Sequence, residues 1–597
     1  MRKIILLGIL ALLARPVQAL ENADAEYLHI EKNYTLDKTG HIRTDYSHEV
    51  RLLTYFAVNR ALGESFIVTN PEYQTLTVDE SVTTMTDGTR VPTPENGFNE
   101  VLPRFVHQAP AYAHLREMVV SHTGLERGCT VRFAYHIDTR PGLWPWLMGE
   151  EIVGTDHPVR RYTVSVQIPN GTPFHYHLFN SAVEPRVDTE EESTRYTWEF
   201  ENLDIQYPEP HHAPFELTSP RLVFSTCPDW NTLTAELHRS IDADCGKPFF
   251  PEDTAWPLDP VSRVLSIQAR MVRATGHVNL DPSLIGYRSL PARRTWNEAR
   301  GTEMDKAVLL MAMLKSHDPK LALIARTVPF AQNVPTLTQF GKPTVWADAG
   351  RSLFLRTDQV QTGLLDVSES GKRVLVVTSK GAEWMELTGR GMDHRIQIRA
   401  RLTLNPDFIL EGRLRLQLEG AFHEPFNGPE DPAAAVRSKL RPILGDVQVR
   451  SVIPVSINLQ SAVYEMDVSF PAEHRRIDET NRVLFTPVRS AVDAWGLSLG
   501  AFNRSETLAL PHPMREHVEL TLKLPENMKV TGLPDAVDIE GEGHFSQRWE
   551  EKDGLSLTRS VTLHNALIPP EQYDLFRKLI QTLTSESART LVLEIDG

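Results

Sequence analysis

Arg300-Gly-Thr-Glu-Met-Asp-Lys-Ala-Val-Leu-Leu-Met-Ala-Met-Leu314 is the stretch of this chain whose residue types and spacing could do chemistry. Gly301 permits a tight turn, and the pattern predicts an apolar helix over 304–316. Thr302 is an N-cap residue, and Asp305 three positions on completes a Thr-x-x-Asp capping pattern. Glu303 is then the first helical residue, held against the positive end of the helix dipole and the unpaired N–H groups of the first turn. A cysteine in that field is shifted toward the reactive thiolate. A glutamate there is favoured as the carboxylate, a weak nucleophile toward amides. The first position of this helix is therefore one where a thiol would be activated, and it holds an acid.

The elements that must position this turn lie between 226 and 378. Residues 229–240 look helical, and 262–272 carry Val264, Leu265, Ile267, Ala269, Met271 and Val272 at helical spacing. Val308, Leu309, Leu310, Met311, Met313 and Leu314 make the helix after Gly301 apolar on nearly every side, which requires burial all round. Strand-like runs follow at 322–328, 344–348, 352–355 and 373–378. Helices followed by strands predict an α+β domain over 226–378.

β-rich regions flank it. In 20–222, Tyr162, Val164, Val166 and Ile168 alternate with Thr163, Ser165 and Gln167, and Asp87-Gly88 and Asn170-Gly171 punctuate such runs, so an antiparallel sandwich is expected. In 385–597, Ile396 to Leu404, Leu414 to Leu418 and Val518 to Leu524 alternate in the same way. A late helix opens at Pro569-Pro570 and sets Tyr573, Phe576, Leu579, Ile580 and Leu583 on one stripe. Residues 428–438 read as a surface loop turning into a short helix. The fold class is thus mainly β with an α+β middle domain.

Two more motifs follow the Gly301 turn: Phe340-Gly-Lys342 ahead of Val345-Trp346, and Leu355-Arg-Thr-Asp358 ahead of Gly363-Leu-Leu365. The first region contains Glu126-Arg-Gly-Cys-Thr-Val-Arg-Phe-Ala-Tyr135, Asp156-His-Pro-Val159 and a run ending Ile168-Pro169; the last contains 515–524, Val530-Thr-Gly-Leu-Pro534 and 569–575. In these motifs, their order and their spacing, the chain resembles bacterial exported proteins that join an N-terminal domain of unknown function to a transglutaminase-like domain and a β-rich C-terminal domain. That family has Gly-Asp-Cys-x-Asp-Lys-Ala before its buried helix, Phe-Asn-His before a strand, and Leu-Asp-Pro-Thr after the next strand. This chain keeps the glycine, Asp305-Lys306-Ala307 and the Leu-rich helix, and departs at every catalytic position. The resemblance sets Glu303 against the cysteine, Lys342 against the histidine, and Arg356 or Asp358 against the aspartate.

A site of that class needs a thiolate, a base that shares its proton and an acid that orients the base. A lysine in the base position stays protonated near neutral pH unless desolvated. No catalytic residue of the thiol class is therefore expected. The alternatives for Glu303 are a surface residue at a helix start, a carboxylate catalyst, or one member of an ion cluster with Lys342, Arg356 or both. Thr302, Asp305, Asp358 and Trp296 are the neighbouring candidates.

Composition narrows the function classes. With 597 residues the chain is too long for one core. Its formal charge is −16, and an acidic chain is a poor nucleic-acid binder. Arg2 and Lys3, the uncharged apolar run 4–13 and Val17-Gln-Ala19 form a secretory signal pattern, so residues 1–19 are expected to be removed and the protein to be periplasmic or secreted. The apolar run is about half of what spans a bilayer, and no later run of 18 apolar residues follows, so no integral membrane segment is expected after cleavage. Export permits disulfides, but only Cys129, Cys227 and Cys245 are present. A helix over 229–240 would hold its ends roughly 18 Å apart, beyond the reach of about 7 Å that a Cys227–Cys245 bridge allows. Too few cysteines exist for a Cys-rich zinc site, and no cofactor motif is present.

The remaining candidates are weaker. His175 and His177 share a strand face and His211-His212 follow, but a metal site needs a third ligand brought to them, and exposed strand and loop histidines are the plainer reading. Trp144-Pro-Trp146 could form an aromatic platform for glycan or peptide, or pack at a sandwich edge. Glu190-Glu-Glu192 and Glu550-Glu551 read as solvated faces. Three functional readings remain: non-catalytic binding or scaffolding of a peptide, protein or envelope ligand; a hydrolase or transferase using carboxylates such as Glu303 with Asp305 or Asp358; or a purely structural envelope protein.

Overall fold

The computed structural model describes residues 23–206, 209–246, 248–249, 256–360, 371–387, 394–423, 432–457, 461–477, 480–551 and 554–596. The expected signal segment 1–19 and the Gly363-Leu-Leu365 turn lie outside the described residues.

The first region is built on an eight-stranded sheet in the order Arg186–Thr189, Ser193–Leu203, Val159–Pro169, Ala25–Leu36, Ile42–Leu52, Thr130–Thr139, Gln74–Thr84, Arg90–Pro92. Two three-stranded sheets complete it. The alternation expected in 162–168 is realised, with Tyr162, Val164, Val166 and Ile168 all inside. Ser165 is buried too, because its hydroxyl finds Asn33 on the neighbouring strand. The antiparallel expectation needs one correction: Ala25–Leu36 and Val159–Pro169 run parallel. Strand periodicity reports which face is buried and not which partner lies alongside, and a parallel partner reaches its place only by a long crossover.

The middle region supplies four helices, α1 (Trp230–Cys245), α2 (Pro260–Ala274), α3 (Ala292–Glu298) and α4 (Glu303–Met313). They pack on an antiparallel five-stranded sheet ordered Ser352–Leu355, Phe340–Asp348, Lys320–Ala325, Arg373–Thr378, Gly381–Glu386. α4 is the centre of this core: Val308, Leu309, Leu310, Ala312 and Met313 are all fully enclosed. The strand expected over 322–328 stops at Ala325, where its pairing with Phe340–Asp348 has already shifted register. Phe340-Gly-Lys342 is part of its strand and does not precede it. Cys227 and Cys245 flank α1 and are free, buried thiols, kept apart by a helix about 24 Å long.

The last region repeats the eight-stranded plan: Gln448–Ile457, Ser461–Pro471, Ile409–Glu419, Arg395–Leu404, Met514–Lys523, Leu555–Leu563, Gly543–Glu551, Val537–Glu540. Arg395–Leu404 and Met514–Lys523 are again a parallel pair. Three helices cover one face: α5 (Pro432–Leu444), α6 (Tyr573–Thr584) and α7 (Glu586–Arg589). The predicted stripe of α6 faces the core. α5 runs six residues past the expected end at 438, because Val436, Leu440, Ile443 and Leu444 extend its apolar stripe.

The regions are bound to one another by directed contacts. Asn70 Nδ2 donates to Leu284 O at 2.8 Å, and Val106, Ala109, Tyr112 and Leu115 form a small core with Val278 and Leu280. Downstream, Glu209 receives Arg504 at 3.0 Å and the Ser505 amide at 2.9 Å.

Candidate functional site

The Gly301 turn is assembled by three local devices. Ala299 ends α3 in the left-handed region (φ 51°), which reverses the chain. Arg300–Gly301 then pairs in parallel with Gly276–His277. At Gly301 a Cβ would sit 2.7 Å from the Asp305 Cβ, so only glycine fits there. The capping box is complete: Thr302 Oγ1 accepts from the Asp305 amide at 3.2 Å, and Asp305 Oδ2 accepts from the Thr302 amide at 2.6 Å.

This cap aims Glu303 at the sheet. Glu303 Oε2 accepts from Thr357 Oγ1 at 3.0 Å. Its Oε1 lies 3.3 Å from Lys342 Nζ, near enough for charge attraction, and 3.5 Å from His277 Nδ1, which attracts it only when protonated; neither contact is aligned as a hydrogen bond and the oxygen is otherwise shielded. Lys342 also reaches Asp358 Oδ2 at 3.1 Å. Arg356 clasps Asp358 as a fork, Nε to Oδ1 at 3.0 Å and Nη2 to Oδ2 at 2.9 Å. The result is a chain of charge, Glu303–Lys342–Asp358–Arg356. Lysine joins the two acids, and the arginine expected near Glu303 is held by Asp358.

Electrostatics follow from this geometry. Burial alone would push the Asp358 carboxyl up, but the Arg356 fork and the Lys342 ammonium outweigh it and hold the carboxyl well below its ordinary range. For Lys342 burial works downward, and its carboxylate partners Asp358 and Glu303 carry it above the usual lysine value. His277 is lowered, first by burial and further by the Lys306 and Lys342 charges, against the opposing pull of Glu303. Lys306 is buried and has no hydrogen bond or ion pair among the described residues; burial pulls it down while Glu303 and Asp358 pull it up. His277, Lys306 and Thr357 escape the sequence reading. Lys306 carried a signal, being one helical turn from Glu303. His277 carried none, since only the parallel pairing with Arg300–Gly301 brings it in.

Two neighbouring candidates lie elsewhere. Asp305 is fully buried and accepts from the Tyr112 hydroxyl and from the Leu290 amide at 2.7 Å, so it anchors α4 to the first region. Residues two apart on a helix do not face each other, which is why it cannot share the Glu303 cluster. Trp296 packs edge-on against Phe249 at 5.7 Å, both half-buried against the outside of the middle core.

A cavity of about 260 Å³ opens beside the cluster, lined by Arg326, Lys342, Arg356, Asp358 and Lys372. A larger cleft of about 550 Å³ lies between the first and middle regions. Trp144 and Trp146 stand in its wall, edge-to-face at 5.7 Å and packed on the middle core, with Tyr287 5.3 Å from Trp144. They are both packing residues and cleft lining. His175 and His177 sit on the strand His175–Phe179, whereas His211 and His212 sit on the segment that docks against the last region. Among the described residues no three of His, Cys, Asp and Glu gather as metal ligands, and no helix is long and apolar enough to cross a membrane.

Comparison with known proteins agrees with this architecture. Residues 38–206 match the family described as "Domain of Unknown Function with solved-structure structure (DUF3857)", and residues 481–593 match the equivalent DUF3858. The chain is similar over 96% of its length to 99% of a crystal structure from Parabacteroides distasonis described as a putative protease, with 25% identity and a TM-score of 0.71. A zinc metallopeptidase of the M1 class from Deinococcus radiodurans aligns over 42% of this chain and 54% of its own, with 11% identity and a TM-score of 0.20, too low to bear on the fold. No curated protein matches the chain.

Proposed function

We propose that this is an exported, non-catalytic transglutaminase-like protein with a binding or scaffolding role at the cell envelope, in which an ion cluster stands where a thiol site would be. The observation that carries this reading is the Glu303–Lys342–Asp358–Arg356 chain. Its carboxylates are engaged by cations, and its lysine is kept protonated by those same carboxylates, so the cluster offers neither a free base nor a nucleophile. No thiol replaces it: Cys129, Cys227 and Cys245 are buried, and burial raises each thiol, Cys227 to about 12. The signal pattern of residues 1–19 supports export, and the similarity to the P. distasonis structure supports a shared scaffold.

The test is a Glu303→Cys, Lys342→His, Arg356→Asp variant. If the cluster occupies the position of a thiol site, the introduced cysteine labels with iodoacetamide at neutral pH faster than a cysteine placed at an exposed helix start. An inert thiol in a folded variant overturns the assignment. Peptide hydrolysis or transamidation by the wild type that Glu303→Gln abolishes overturns the non-catalytic reading in favour of a carboxylate enzyme.

A further inference from the structure

The outer face of the C-terminal sheet, far along the chain from the Glu303 cluster and independent of how that cluster is read, carries an unusual charge arrangement. Register places Arg399 directly opposite Arg415, and Arg401 directly opposite Arg413, on the adjacent strands Arg395–Leu404 and Ile409–Glu419. Like charges in directly opposed positions repel, and sheets ordinarily avoid them. In a chain of formal charge −16, four arginines nevertheless form one square.

The two rows of the square are not equivalent. Arg399 is paired with Glu519 at 2.9 Å and Arg415 with Glu465 at 2.6 Å, so that row is compensated from both sides. In the other row Arg413 meets Asp467 only at 3.9 Å, and the register neighbour of Arg401 on its far side is Thr521. Among the described residues Arg401 has no ion pair. Arg450, opposite Asp467 on the next strand, adds another cation to the same row. Positive charge is thus in surplus along Arg401, Arg413 and Arg450.

Arg401 and Arg413 lie in a groove of about 590 Å³ that also takes in Ile453. Ile453, Val455 and Ile457 stand 60%, 49% and 48% exposed on the edge strand Gln448–Ile457. The groove crosses five strands, from that edge to Met514–Lys523, a width of roughly 19 Å, which an extended segment of about six residues would span. Pairing of a new strand to the edge itself is disfavoured, because Pro454 lacks a donor and the register is broken on both sides of it. A ligand therefore lies across the face.

We propose that this groove docks an extended peptide segment alternating acidic and apolar side chains, with a carboxylate held between Arg401 and Arg413 and an apolar side chain against Ile453. Arginine forks suit carboxylates, and bringing one between the facing guanidinium groups relieves their repulsion. The interspersed Glu465, Asp467 and Glu519 argue against a uniformly anionic lipid surface, which they would repel, and the concave shape does not fit a flat bilayer.

The experiment uses the full mature chain and a fluorescein-labelled heptapeptide of alternating glutamate and valine, read by fluorescence anisotropy at low salt. We expect saturable binding that weakens with added salt, falls about ten-fold or more for Arg401→Gln with Arg413→Gln, and is unchanged for Arg548→Gln elsewhere on the sheet. The Gln-for-Glu peptide is expected to bind at least ten-fold more weakly. Thermal melting of each variant shows that it is folded. Absence of saturable binding by the wild type overturns the proposal, as does equal binding by the arginine variant or by the Gln peptide. Retention on phosphatidylglycerol vesicles that the peptide does not displace would assign the face to a membrane instead, and equally overturn it.

Discussion

Glu303 Oε2 accepts a hydrogen bond from Thr357 Oγ1 at 3.0 Å, which ties the first residue of α4 to the turn after the strand Ser352–Leu355. The other oxygen of the same carboxylate is held by charge alone, 3.3 Å from a lysine whose side chain is 58% exposed. One carboxylate thus has a directed bond on one side and a solvent-screened attraction on the other.

That asymmetry sets the energetics of the pair. Coupling between Glu303 and Lys342 in a double-mutant cycle (Glu303→Gln, Lys342→Met) should be at most about 1 kcal/mol, because water screens the lysine. Thr357→Val should cost more, about 1–3 kcal/mol, since it leaves a part-buried carboxylate oxygen without its donor. Urea unfolding of the four variants measures both. A coupling well above the Thr357→Val cost would contradict the geometry.

Asp358 makes stability acid-sensitive. Its folded carboxyl lies below the ordinary range because the Arg356 fork and Lys342 outweigh burial. The unfolded chain therefore binds the proton first, at an ordinary value of about 3.9. The contribution is complete above that pH and is lost as pH falls below it toward the folded value. A profile of unfolding free energy from pH 6 downward should be shallower below about pH 4 in Asp358→Asn than in the wild type. Parallel profiles would remove Asp358 from the ledger of acid-sensitive groups.

Arg559 and Glu516 form a fully buried pair at 2.9 Å within the C-terminal sheet, and Glu516 Oε2 also accepts from Ser490 Oγ and the Ala491 amide. Removing one partner strands a charge in the core. Arg559→Met should destabilise by about 3–5 kcal/mol, whereas Arg559→Met with Glu516→Leu should recover part of that loss. The denaturant midpoints of the single and double variants decide it.

The thiols should be silent in the folded protein. Cys129, Cys227 and Cys245 are enclosed and raised by burial, so maleimide at neutral pH is expected to label none of them until the chain is denatured, when all three react. Rapid labelling of any one under native conditions would mark an opening of its core.

How much of this was legible beforehand differs between elements. The start, cap and burial of α4 were readable, since an all-round apolar helix behind a Gly-Thr turn with Asp305 three positions on encodes its own burial and its own cap, whereas its end was not: the helix stops at Met313, three residues short of the expected 316. The stripe of α6 was equally plain. The parallel pairs Ala25–Leu36 with Val159–Pro169 and Arg395–Leu404 with Met514–Lys523 were not, because alternation reports faces and is silent about neighbours. The Gly381–Glu386 strand, at the edge of the middle sheet, alternates too weakly to announce itself.

The same division runs through the site. The sequence by itself determined that Glu303 starts a buried helix and that no cysteine stands in that frame, while Lys342 and the Arg356–Asp358 turn were set near it only by the family resemblance. Only the tertiary structure decided who holds whom: Lys342 bridges Glu303 and Asp358, Arg356 turns to Asp358, His277 joins from a parallel pairing, and Asp305 looks away to Tyr112. Local pattern fixes backbone state and facing through contacts a few residues apart. The choice among charge partners depends on side-chain reach and register between strands distant along the chain, and those exist only once the core has closed.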